Sequence, residues 1–78
     1  MDGVTMLRPG LVLETNKSVV IMFKDGLEEN ISIVLCVWSA SPGHPFVVWD
    51  YEEVTGALYN GNYYTNLEDA LKKFRSAQ

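Results

Sequence analysis

Cys36 and His44 are the residue types from which a nucleophile and its base could be built, and the 78-residue chain holds one cysteine and one histidine. A catalytic thiol needs an exposed, electropositive setting that lowers its pKa. Cys36 instead lies inside Ile-Ser-Ile-Val-Leu-Cys-Val-Trp (Ile31–Trp38), flanked by Leu35 and Val37, a context in which small buried cysteines are common. His44 sits between Gly43 and Pro45 in a loop, with no third residue placed to orient it. Catalysis by this pair is therefore not expected. One thiol and one imidazole also fall short of the four ligands of a structural zinc site. The glycines are scattered singly, without a phosphate-cradling pattern. No metal and no cofactor is expected.

Carboxylates are the more abundant chemistry, with ten Asp and Glu against six Lys and Arg and a net charge of −4. Nucleic-acid binding rests on basic residues meeting phosphates. Three of the six here, Lys72, Lys73 and Arg75, crowd into one helical turn. A nucleic-acid partner is not expected. If the chain forms a meander, alternate turns share one end of the sheet. Asp25, Glu28 and Glu29 would then meet Glu52 and Glu53, with Asp50 close by, in an acidic rim. Such a rim can be a solvated edge or can steer a basic partner. Its spacing does not match a calcium-binding EF-hand loop. A carboxylate pair or His44 serving a small enzyme is one alternative reading, and an acidic mimic of nucleic acid is another.

The elements that must position these groups follow from periodicity. Ile31–Trp38 is short and almost wholly apolar, the pattern of a strand buried on both faces. Before it, Arg8-Pro9-Gly10 marks a turn, Leu11–Glu14 a short strand, Thr15-Asn16-Lys17 a tight turn and Ser18–Lys24 a second strand. That second strand would place Val19, Ile21 and Phe23 on one face and Val20 and Met22 on the other. After it come the Ser39–Pro45 loop, a strand at Phe46–Tyr51 and a fifth at Ala57–Tyr64. Asn60-Gly61 interrupts the last strand and reads as a bulge rather than a hairpin turn. Residues 66–76 form the one helix, with Leu67, Ala70, Leu71 and Phe74 on a single stripe and Thr65-x-x-Glu68 as its capping box.

The expected fold is α+β: one small domain over 1–78, a five-stranded antiparallel meander with a C-terminal α-helix packed on one face, and a weakly ordered stretch at 1–9. A helix of about 16 Å cannot cover both faces of a sheet roughly 24 Å wide. The uncovered face would need a partner, with a second copy, a homodimer, the simplest. Val34, Trp38, Trp49, Tyr51, Tyr59 and Tyr63 are the candidate partner-binding residues, because Tyr and Trp are enriched at interfaces. Making Val34 charged should then break assembly without unfolding the chain. The lone cysteine suits a reducing, cytoplasmic setting. No apolar run approaches the ~20 residues of a membrane span, and no membrane partner is expected. These features suit a non-catalytic interaction module with a regulatory, adaptor or inhibitor role, of the kind carried by phage or mobile-element accessory proteins.

Overall fold

A computed structural model describes residues 7–77. The expected weak order at 1–9 falls, for residues 1–6, outside that range. Four strands, β1 (Val19–Asp25), β2 (Ile31–Val37), β3 (Phe46–Glu52) and β4 (Leu58–Tyr64), precede one helix, α1 (Leu67–Ser76). The strands form one antiparallel sheet in the order β1-β2-β3-β4. The α+β class and the meander hold, while the strand count is four rather than five. The expected first strand, Leu11–Glu14, contributes a single bridge, Val12 to Val19.

β2 sits inside the sheet, and Ser32 to Cys36 are all buried. On one face Ile33, Leu35 and Val48 meet Ala70 and Phe74 of α1, with Ile21, Phe46, Tyr64 and Leu71 around them. Asn66 caps the helix, its Oδ1 accepting from the Asp69 N–H at 2.9 Å. The cap is thus one residue later than the expected Thr65. Glu68 and Asp69 open the helix and Lys73 and Arg75 close it, both matching the helix dipole.

The opposite face is not bare. Val20, Val34, Cys36, Val47, Trp49 and Tyr51 are covered by Leu13, with Leu7, Leu11, Trp38 and Leu58 packed alongside. Residues 7–18 therefore act as a strap. A turn at Pro9-Gly10 starts it: the Leu11 N–H donates to the Arg8 carbonyl at 3.1 Å, and Gly10 takes φ of 90°, which only glycine adopts without a Cβ penalty. The Gly10 N–H then donates to the Val20 carbonyl, the Val20 N–H to the Leu11 carbonyl, and the Leu13 N–H to the Ser18 carbonyl. Trp38 Nε1 donates to the Asn16 carbonyl at 2.9 Å, and Thr15 Oγ1 to the Gly56 carbonyl at 2.6 Å. In the tight turn Lys17, not Asn16, takes the positive φ of 66°. Asn16 Oδ1 instead accepts from the Ser18 N–H and hydroxyl, which satisfies the fully buried Ser18.

Two bulges set which residues share a face. In β1 the register steps from Val20–Cys36 to Met22–Leu35, leaving Ile21 as the extra residue. Phe23 therefore lies opposite Val34 and joins Val20 on the strap face, while Met22 and Lys24 lie opposite Leu35 and Ile33 on the helix face. This reverses the expected grouping of Phe23 with Ile21, because the added residue shifts the two-residue alternation. In β4 the expected bulge is present, with Asn60 and Gly61 opposite Trp49 and Asn60 at φ 56°. A Cβ on Gly61 would stand 2.6 Å from Trp49 Nε1 and 3.0 Å from a Tyr63 ring carbon. Gly61→Ala should destabilise the chain by about 1–3 kcal/mol, since overpacking displaces a buried indole. Urea unfolding reads this, and an unchanged midpoint would show that Trp49 has room to move.

Candidate protein-docking surface

The side chains with chemical potential are distributed by this frame rather than gathered. Cys36 is buried on the strap face. Burial pushes its thiol up to about 11, against a smaller opposing effect of the Ser18 hydroxyl. The thiolate that would react is scarce at neutral pH. The native chain should not react with a water-soluble disulfide reagent, whereas the chain in denaturant should release one equivalent of chromophore. Rapid native labelling would contradict the burial. His44 is exposed in the β2–β3 turn, its backbone N–H donating to the Ser41 carbonyl at 3.0 Å.

The acidic rim is partly assembled. Asp25, Glu28, Glu29 and Glu53 line a recess of about 330 Å³ between the β1–β2 turn and the end of β3. Glu53 is pinned there, its backbone N–H donating to the Asn30 carbonyl at 2.8 Å and its carboxylate accepting from the Ser32 hydroxyl. Glu52 turns instead to Thr55, whose N–H and hydroxyl both donate to Oε1 at 2.7 Å. The Thr55 hydroxyl, then its N–H, hold the Glu52 carboxyl below its usual pKa. The resulting stability is present above the ordinary glutamate range and is lost as pH falls through the lowered value. Asp50 lies elsewhere. It faces the helix side, accepts from Asn60 Nδ2 at 2.8 Å, and shares a recess of about 260 Å³ with Asn62 and Lys73. Among the described residues no cluster of three His, Cys, Asp or Glu is placed to hold a metal ion.

The candidate partner-binding residues separate into core and surface. Val34 is fully buried, and Trp49 and Tyr51 are nearly so. All three belong to the strap-covered core, so the surface expected to carry them is occupied by the chain's own Leu13. Trp38 is half-buried and meets the Trp49 ring edge-on at 5.4 Å, with Tyr63 6.1 Å from Trp49 and 6.2 Å from Trp38. Tyr63 and Tyr59 are exposed, Tyr63 on the strap side and Tyr59 opposite Asp50.

A different surface emerges at the edge of the sheet. Met22 and Phe23 in β1 are 40% and 41% exposed, and Leu27 in the following turn is 79% exposed. The strap's backbone bonds reach β1 only as far as Val20. Among the described residues, no strap or loop backbone group bonds residues 21–25, which pair on their β2 side alone. Lys24, the residue type that commonly guards such an edge, is folded inward. Its Nζ stands 5.2 Å from the Phe74 ring centroid and donates to the Arg75 carbonyl at 3.4 Å. The other sheet edge, β4, is broken by its bulge. Local sequence pattern does not mark this open half-strand, beyond the apolar content of Ser18–Lys24 on both faces.

A groove of about 500 Å³ runs between the strap residues Leu11–Thr15 and the β3–β4 turn, floored by Tyr51. Among the described residues no helix is long and apolar enough to cross a membrane. Comparison of the chain with protein-family models, with curated proteins and with solved structures returns no match.

Proposed function

We propose that this chain is a non-catalytic protein-interaction module that binds its partner along the open half of β1. The observation that carries the reading is the coincidence, at residues 21–25, of a half-strand unpaired on its outer side among the described residues with exposed Met22 and Phe23. An extended segment added there gains main-chain hydrogen bonds, and the flanking apolar side chains supply contact area. Regulatory, adaptor and inhibitory roles all draw on binding of this kind, and the binding needs neither metal nor cofactor.

The test is retention of a protein by the immobilised chain, its own copies included, compared with a Phe23→Lys variant. Phe23 is well exposed, so the variant should keep the native fold, as circular dichroism would report. Loss of the retained protein with the folded variant is the expected result. Retention that ignores the substitution would remove β1 as the docking site.

A further inference from the structure

Resting on the reading of β1 as a docking edge, we propose that its occupant is a second copy of this chain. The two copies would join antiparallel at β1 to make one continuous eight-stranded sheet. The inference deepens the preceding one by fixing both the partner and the register.

Two equivalent edge strands join antiparallel about a two-fold axis normal to the sheet, and the axis must pass through a single residue if each sheet face is to stay continuous. An axis at Met22 would set Val20 opposite Lys24, but the Val20 N–H and carbonyl are already bonded to Leu11 and Gly10 of the strap. An axis at Lys24 would place that lysine against its own copy, and like charges directly opposite destabilise a sheet. An axis at Phe23 avoids both faults. It stacks Phe23 on its own copy on the strap face, lays Met22 against the Lys24 stem on the helix face, and ends the pairing at the bulged Ile21. Aromatic cross-strand pairs are among the favourable ones.

The same axis brings the ends into register. The turn that follows β1 in one copy, with Asp25, Leu27, Glu28 and Glu29, arrives where the strap of the other copy leaves its β1. Val12, bridged to Val19 and exposed, and the exposed Lys17 lie there. Leu27 would approach Val12 while the acidic turn approaches Lys17, and the symmetry repeats both contacts. Charge complementarity at these ends matters for a chain of net charge −4, whose copies otherwise repel one another.

Light scattering on a sizing column, over a wide concentration range, should give 17.6 kDa, twice the chain mass of 8.8 kDa. Because Phe23 meets its own copy at the axis, Phe23→Lys and Phe23→Glu should each give 8.8 kDa alone and 17.6 kDa when mixed. Circular dichroism of each variant serves as the fold control. A wild-type mass of 8.8 kDa throughout would overturn the second copy as occupant; the docking-edge reading would still stand if Phe23→Lys lost a different retained protein. A dimer that persists in both charged variants would overturn the β1 register. So would charged variants that stay monomeric when mixed.

Discussion

Val34→Asp should unfold the chain rather than release a folded monomer. Val34 has no exposed surface and lies in the cluster of Leu13, Val20, Val47 and Trp49. A carboxylate there has no cation partner within the strap-face cluster. If the carboxyl takes up a proton to avoid burying charge, an unpartnered polar group still costs roughly 2–7 kcal/mol. The valine's own burial is lost as well. At typical densities of stability, a domain of 78 residues has only about 4–12 kcal/mol in all. Far-UV circular dichroism and the dispersion of amide proton shifts read the outcome. A variant with native dispersion would return Val34 to the surface and leave the strap without its function as a cover.

Leu13→Ala should be the most costly single truncation in the strap, lowering stability by about 2–5 kcal/mol. Leu13 is only 2% exposed. Its backbone is held at both ends, its N–H donating to the Ser18 carbonyl and its carbonyl accepting from the Lys17 N–H. With the main chain pinned, the strap cannot sink to fill the space the isobutyl group leaves, and such sites sit at the expensive end of the range. Urea unfolding with an unchanged slope would show that the compactness of the end states is unaltered. A loss below about 1 kcal/mol would instead mean that the strap rests on the sheet without sealing it.

What the sequence made legible was what local pattern controls. The central strand at β2, the stripe of α1, the turn at Pro9-Gly10 and the bulge at Asn60-Gly61 each carry their signal within a few residues. Thr65 and Asn66 are both good caps, so the helix start was uncertain by the one residue that separates them. The strap was a different matter. It is fixed by Thr15 bonding to Gly56 and Asn16 to Trp38, partners 41 and 22 residues away, which no local periodicity reveals. With the strap unseen, Val34, Trp49 and Tyr51 looked available to a partner and proved to be core. The β1 bulge at Ile21 has no glycine or proline to announce it, so the facing of Met22 and Phe23 came out reversed. The acidic rim was half legible: turn order placed Asp25, Glu28, Glu29 and Glu53 together, but strand alternation sends Asp50 to the helix side.

The strap's attachment points also set an order of events on the ribosome. Residues 7–18 emerge before the sheet they cover, so Thr15 has no acceptor until Gly56 has been made, and Leu13 has no complete floor until Trp49 and Tyr51 are in place. While residues 19–56 are made the chain therefore carries a leucine-bearing segment with nowhere to dock, beside a growing sheet whose apolar face is wet. Such nascent species are prone to associate wrongly. The strap is thus seated well after it is made, and its face of the sheet stays exposed until the β3–β4 turn has left the exit tunnel.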